Sequence, residues 1–292
     1  MKFLFSRRDM SEAGAKQVCQ RSGRKRRFAP PQAIEIAEGG TPRQNHSMIS
    51  VLLFSALLPF SLPAQDALPE VSYPKLAPTA SDAQGFVPDG WRLEAQQTGD
   101  LNGDGLPDLA LALQQQDSSN IVSDGVICGE TVDTNPRILV VALAQRSGDY
   151  RLMVQDHTLI PRYDNACAED WFSGEGVAES GLEVARGAVR VRLGRFMTAG
   201  GWGMGSTTYT FRWQGEALRL VGFDYTNVQR NTGEMDTLSI NYLTRRVKIT
   251  EGSISESKQR SRWSTIPDRP LLTIEQVGNG MEFNPNGLLN TL

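Results

Sequence analysis

The chain has 292 residues, with 30 basic and 33 acidic side chains and a net charge of −3 at pH 7. The charge is unevenly distributed, because residues 1–64 hold 10 basic and 4 acidic side chains, whereas residues 65–292 hold 20 and 29, a net −9. This acidic main part excludes nucleic acid as the expected partner and favours cation binding, and its length suffices for one large β domain or two small ones.

Residues 1–47 contain a dense basic run between Arg21 and Arg27. Runs of this kind bind phosphate groups, so one interpretation is attraction to a nucleic acid or another anionic surface. The interpretation we prefer is that translation starts at Met48 and that the residues before it are translated by mistake.

A continuous apolar stretch extends from Met48 to Leu62. It is shorter than the roughly 20 residues that a membrane-spanning helix needs, and it is followed by Pro63 and Ala64 before the chain becomes polar. This order predicts a secretory signal that is cleaved after Ala64, or after Ala67 as a second choice. The protein is therefore expected to be periplasmic or secreted, with no membrane span in its mature part; a buried core helix is the alternative.

The segment 65–88 is rich in Pro, Ala and Ser, has no periodic pattern and is predicted to be a linker. Short strands and turns are expected throughout 89–292, which we predict to be one β-rich domain. Two continuous apolar runs, Leu109–Leu113 and Ile138–Leu143, have the length of buried strands.

Other segments alternate between apolar and polar residues, which predicts strands with one buried and one solvated face. These segments are Val189–Leu193, Thr208–Trp213 and Leu238–Tyr242. Sustained helical periodicity is missing from the sequence, so we expect few and short helices. The predicted fold class is mainly β, with antiparallel sheets arranged as a sandwich or a partial propeller.

The segment between the first expected strands, Asp100–Asp108, places oxygen-bearing side chains at alternate positions. Asp100, Asn102 and Asp104 precede a glycine at the sixth position, and Leu106 and Asp108 follow it. Calcium prefers six to eight oxygen ligands, and in EF-hand loops they come from these positions, with a backbone carbonyl at the seventh. The sequence therefore predicts a calcium site at these five residues, while an Asx-rich turn without metal is the alternative.

The predicted calcium loop differs from an EF-hand in two respects. Leu111 stands where an EF-hand has its bidentate Glu, and the residues after the loop have the pattern of a strand instead of a helix. We therefore expect modest affinity, in the range of about 10⁻⁴–10⁻³ M found in extracellular modules, and a structural role for the ion.

The segment Gly99–Leu111, with the sequence GDLNGDGLPDLAL, resembles the FG-GAP or VCBS repeat, the calcium-loop hairpin of integrin-type propeller blades. The resemblance covers about fifteen residues in a single copy, and it implies calcium at Asp100, Asn102, Asp104, Leu106 and Asp108. A second resemblance covers residues 200–247, which are similar to a family of uncharacterised exported bacterial proteins that pair one such hairpin with a β-rich domain.

Two cysteines, Cys128 and Cys167, lie in the predicted mature part, each within a polar segment expected to form a long loop (115–136 and 160–181). A lone cysteine pair in an oxidising compartment most simply forms a disulfide. A metal or catalytic role would need a close Cys or His partner, which neither has in the sequence. We therefore predict a Cys128–Cys167 disulfide.

A Gly-rich segment, Gly200–Gly205, surrounds Trp202. One interpretation is a stacking surface for a sugar or peptide, with Tyr225 and Arg230 on the following hairpins. The other is a Gly-rich strand connection in which Trp202 covers the core.

No catalytic residue is predicted. The mature part retains one histidine, His157, and the sequence has neither a nucleophile elbow nor histidine pairs at metal-hydrolase spacing. The leading hypothesis is a calcium-binding β domain with a binding or structural role in the cell envelope or outside the cell, its partner a protein or carbohydrate of the envelope. The alternative is a hydrolase of envelope polymers that uses unidentified carboxylates.

Overall fold

The computed structural model describes residues 68–123, 128, 131–173, 181–256 and 258–292. The predicted basic extension and signal segment lie outside these ranges. Within the described ranges the protein is mainly β, and its neighbouring strands pair antiparallel, as the sequence predicts. The three sheets have the strand orders β1-β7-β6-β3-β2, β14-β13-β12-β11-β10-β9-β8 and β4-β5, and the seven-stranded sheet curls into a half-barrel.

The strands are β1 (Thr79–Ala80), β2 (Trp91–Gly99), β3 (Asp108–Gln115), β4 (Ile121–Ser123), β5 (Thr131–Asp133), β6 (Arg137–Ala144), β7 (Tyr150–Asp156), β8 (Leu182–Ala185), β9 (Ala188–Phe196), β10 (Gly203–Gln214), β11 (Ala217–Gln229), β12 (Glu234–Asn241), β13 (Arg246–Ser253) and β14 (Arg260–Thr265). One α-helix, α1 (Ile274–Val277), and three 3₁₀ segments, Gln84–Phe86, Ser118–Asn120 and Pro285–Thr291, accompany them in the described part of the chain. None of the helices described is long and apolar enough to span a lipid bilayer.

The two central strands of the five-stranded sheet, β3 and β6, are buried on both faces. On β3, Ala110 and Ala112 point into a core shared with the seven-stranded sheet, while Leu109, Leu111 and Leu113 point into a second apolar cluster on the other face. Burial on both sides explains why these strands are continuously apolar, whereas the half-solvated strands alternate.

The second apolar cluster is closed by the segment that the sequence predicts as a linker. In its described part, Leu76 and Phe86 are buried in that cluster, and β1 pairs with β7 through Thr79 and Arg151. Residues 68–88 therefore belong to the folded domain, because their few apolar side chains cover a sheet face that would otherwise be exposed to water.

The seven-stranded sheet buries one of its faces. On β9, Val189, Val191 and Leu193 point into the shared core, while the alternate residue Arg190 forms an exposed ion pair with Glu183. The predicted alternation is thus present, and it assigns one side of each strand to the core.

The C-terminal segment closes one end of this sheet. Leu220 donates its backbone N–H to the carbonyl of Leu272 at 2.8 Å, and the buried Tyr209 hydroxyl donates to the carbonyl of Gly280 at 2.6 Å. A Cβ at Gly280 would lie 2.4 Å from the Leu159 carbonyl oxygen, so only glycine allows this approach.

A buried ion-pair cluster joins the segment that carries Cys167 to the five-stranded sheet. Arg137, whose side chain is 1% exposed, donates through Nε to Glu94 at 2.6 Å and through Nη2 to Asp170 at 2.7 Å. Burial acts to lower the pKa of Arg137, but the hydrogen bonds and charges of Glu94 and Asp170 raise it above its usual value. The Asp170 carboxylate also accepts the backbone N–H of Phe172 at 2.9 Å, so the cluster holds the segment around Asp170 in place.

The Sγ atoms of Cys128 and Cys167 lie at disulfide-bonding distance, with their Cα atoms 5.5 Å apart. The predicted cysteine pairing therefore agrees with the structure. The bond would tie the region around the small β4-β5 sheet to the segment that Asp170 anchors.

Candidate functional sites

The loop Asp100–Asp108 joins β2 to β3 and is organised by its own side-chain oxygens. The two carboxylate oxygens of Asp100 accept the N–H groups of Gly103 at 2.7 Å and Gly105 at 3.0 Å. Asn102 Oδ1 accepts from Asp104, and Asp104 Oδ1 accepts from Leu106 at 2.8 Å. These side chains therefore hydrogen-bond to the loop backbone and form successive Asx turns.

Two glycines make this loop conformation possible. Gly103 and Gly105 both have a φ of +84°, in the left-handed region that a Cβ disfavours. The hydrogen bond from the Leu106 N–H and the Asn102 amide lower the pKa of Asp104, so this exposed carboxylate is ionised at neutral pH.

Asp108 lies at the foot of the loop and is completely buried. Its oxygens accept the N–H groups of Leu101 and Ala144, both at 2.8 Å, which fastens the loop to the end of β6. Burial raises the pKa of Asp108, although these two hydrogen bonds act in the opposite direction.

The loop lies where the two large sheets meet. A Cβ at Gly99, the last residue of β2, would lie 2.7 Å from the side chain of Val184 on β8. One at Gly187, in the turn between β8 and β9, would lie 3.7 Å from the Asp100 carbonyl oxygen. Leu101 is buried in the core that the sheets share. A more rigid loop would therefore stabilise the contact between the two sheets.

The donor chemistry of the loop fits a hard cation, since it offers carboxylate, carboxamide and carbonyl oxygens. The Asn102 amide donates to the second oxygen of Asp104 at 2.9 Å. Across the described ranges, no three His, Cys, Asp or Glu side chains are gathered as a metal-binding group. The residue types and their spacing are those that calcium prefers, while the loop side chains bond to the loop's own backbone.

Trp202 is an exposed aromatic side chain, with 60% of its surface accessible. The guanidinium of Arg230 lies 5.9 Å from the centre of its ring and 4.2 Å from that of Phe196. Arg230 also donates to the carbonyls of Trp202, Gly201 and Met197, so it positions the Gly-rich loop that presents the indole.

Tyr225 does not join this surface. Its ring packs against the shared core and lies under the guanidinium of Arg195, at 5.1 Å. The candidate ligand surface therefore consists of Trp202 and the loop that Arg230 supports, and the interpretation in which Trp202 covers the core does not fit its exposure.

A separate cleft of about 480 Å³ contains His157 together with two carboxylates, Asp164 and Glu282, and the indole of Trp171. The His157 ring stacks on Tyr73, with centroids 4.0 Å apart. The lining residues come from two distant parts of the sequence, 157–171 and 278–282, and no local motif marks them. Their grouping is the feature that sequence reasoning missed.

The carboxylates whose pKa is raised lie outside this cleft. They are Asp108, in the loop described above, and Asp236 on β12, where burial and the neighbouring Glu251 and Glu234 raise its pKa. Among the described residues the structure thus offers no cleft lined by two such carboxylates.

No protein-family model, curated protein or solved structure matches this chain.

Proposed function

We propose that the protein is an exported β domain that binds calcium at Asp100–Asp108 and uses its exposed Trp202 surface to hold a protein or carbohydrate of the cell envelope. The observation that carries the proposal is the position of the loop, which connects β2 to β3 and lies against the β8–β9 turn of the other large sheet. An ion in this loop would stabilise the contact between the two sheets, which is a structural role and not a switch.

The resemblance of Gly99–Leu111 to FG-GAP and VCBS repeats supports calcium as the cation. The signal-like stretch Met48–Leu62 supports export, into compartments where millimolar calcium would fill a site with an affinity of about 10⁻⁴–10⁻³ M. A net charge of −9 on residues 65–292 is also consistent with a cation-binding domain.

The binding role rests on Trp202. An indole that is 60% exposed and supported by a cation is suited to stacking on a sugar ring or a peptide side chain. The hydrogen bonds that the Arg230 side chain donates to backbone carbonyls keep the loop in place before any ligand arrives. This lowers the entropy cost of binding.

Co-sedimentation with isolated cell envelopes tests this role. We expect the wild-type protein to sediment with the envelopes and Trp202→Ala to lose about 5- to 30-fold in affinity, because stacking on an exposed indole contributes about 1–2 kcal/mol. Trp263→Ala is the matched control, since Trp263 is 58% exposed and also lies near two cations, Arg246 and Lys248, on β13. Equal binding by wild type and Trp202→Ala would contradict the assigned surface.

A hydrolase of envelope polymers is the second candidate, and the cleft that groups His157, Asp164 and Glu282 favours it. The same envelope preparations distinguish the two functions. A hydrolase would release soluble fragments, and Asp164→Asn or Glu282→Gln would abolish the release, because an amide neither donates nor accepts the proton that glycoside or peptide cleavage requires.

A further inference from the structure

A second cavity lies at the end of the seven-stranded sheet where the C-terminal segment closes it. Its volume is about 200 Å³, and its wall is mostly apolar, with Leu220, Ile266, Leu272 and Phe283 among the lining residues. An engineered apolar cavity of about 150 Å³ holds a benzene molecule, so this space suits a single ring or a short branched chain.

One polar group inside the wall has no partner. The Tyr242 hydroxyl is buried and makes no hydrogen bond, and burial raises the pKa of this phenol. A buried hydroxyl without a partner costs about 1–3 kcal/mol, and such groups in folded proteins usually have an explanation. A neutral phenol has one hydrogen bond to donate, and a small rotation of the Tyr242 side chain would present its hydroxyl, which is closed off in the free protein, to an acceptor in the cavity.

The charges around the cavity favour an anion. Arg245 and Arg269 both line it. Arg245 forms an ion pair with Asp268 at 3.2 Å, with both side chains largely exposed, while Arg269 lies exposed at the surface. No Asp or Glu is among the residues that line the cavity. The lining side chains therefore carry only positive charge, and Asp268, which pairs with Arg245 beside the cavity, offsets part of it.

We propose that this cavity binds a small monocarboxylic acid with an apolar body. The apolar part would occupy the space beside Leu220 and Phe283, and the carboxylate would accept a hydrogen bond from Tyr242 and a charge-assisted contact from Arg269. The inference does not rest on calcium, on the Trp202 surface or on export, and it holds or fails independently of the proposed function.

Benzoate is the probe that we would use, with benzyl alcohol as its neutral analogue of similar size. Titration of either compound into the ¹⁵N-labelled full chain is followed by amide chemical shifts. We expect benzoate to shift amides of residues 242–245, 266–272 and 283–286 in a saturable way, and benzyl alcohol to bind at least tenfold more weakly, because it lacks the charge that the arginine contacts require.

Two variants test the assigned contacts. Tyr242→Phe removes only a hydroxyl that has no partner in the free protein, so its fold should be retained, and we expect benzoate to bind about tenfold more weakly. Arg269→Gln should have a similar effect. Arg212→Gln is the matched control, because Arg212 is exposed on β10 and does not line the cavity, and it should bind benzoate like the wild type.

The proposal is overturned if benzoate produces no saturable shifts at the cavity, if benzyl alcohol binds as tightly as benzoate, or if Tyr242→Phe and Arg269→Gln both bind benzoate like the wild type. Envelope binding through Trp202 is measured separately, so its success or failure leaves this outcome unaffected.

Discussion

Replacing Arg137 by Ala should destabilise the protein by about 3–5 kcal/mol, since that is the usual cost of removing one partner from a buried ion pair. The variant leaves the Asp170 carboxylate, 19% exposed, without its cation. The Glu94 carboxylate, 7% exposed, keeps only the half-exposed Arg92 at 3.5 Å. For a domain of this size the expected fall in Tm is roughly 6–20 °C. Thermal unfolding followed by circular dichroism measures it.

Two comparisons separate this explanation from a general effect of removing an arginine. Arg190→Ala breaks an exposed pair with Glu183, at 3.0 Å, and should cost less than about 1 kcal/mol. The triple variant Glu94→Leu, Arg137→Met, Asp170→Leu removes the three charges together and should recover much of the lost stability, because no unpaired charge stays buried. A loss for Arg137→Ala no greater than that for Arg190→Ala would show that the cluster does not stabilise the fold.

The same cluster should make stability depend on acid pH. Burial acts to raise the pKa of Asp170, but the charge and hydrogen bonds of Arg137 hold it below its ordinary value. A carboxylate whose pKa is lower in the folded state contributes stability that is present above its unfolded pKa, about 3.9, and is lost as the pH falls through the folded pKa. Arg137→Ala should lack this contribution, so its stability should fall less between pH 5 and pH 2 than that of the wild type.

Loss of the Cys128–Cys167 bond should cost about 4 kcal/mol. The cysteines are 39 residues apart, and the chain-entropy model gives about this value for a closed loop of such length. Both the double variant Cys128→Ser, Cys167→Ser and the reduced wild type should therefore melt roughly 8–16 °C lower than the oxidised protein.

Mass measurement after alkylation checks the bond itself. The oxidised protein should retain no alkylatable thiol at either position, and reduction should release two. Two free thiols in the protein purified from an oxidising compartment would contradict the pairing. An unchanged Tm after complete reduction would instead contradict the stabilising role.

The features that could be predicted from the sequence are those that depend on the pattern of residue types within a short segment. The apolar runs Leu109–Leu113 and Ile138–Leu143 are strands because both of their faces are buried, and the loop Asp100–Asp108 closes through hydrogen bonds between residues two to seven positions apart. Both features depend on residue types within one short segment, and they therefore leave a signal in the sequence.

The features that could not be predicted depend on distant partners. Arg137 begins an apolar strand, and its partners lie 43 and 33 residues away, so sequence spacing gives no sign of the pairs. The strand β14 is exposed at all six positions and forms an edge of its sheet, so its sequence has no apolar alternation that would predict a strand. The cleft around His157 likewise forms only when two distant segments, 157–171 and 278–282, meet.

Tyr225 is a different case, since a signal was present. It is two residues from Phe223 on β11, and residues of equal parity on a strand point to the same face. The core position of Phe223 therefore places Tyr225 on the core side of β11, and not on an exposed ligand surface.

Thermal unfolding of the purified protein, with calcium titrated to 10 mM and then removed by a chelator, tests the central claim most directly. An affinity of about 10⁻⁴–10⁻³ M predicts about 1–3 kcal/mol of stabilisation and a Tm rise of roughly 3–10 °C, reversed by the chelator. Asp104→Asn should abolish the rise, whereas Asp149→Asn, a control in the exposed turn between β6 and β7, should retain it. A Tm that does not respond to calcium, or that responds equally in Asp104→Asn, would contradict a calcium site in this loop.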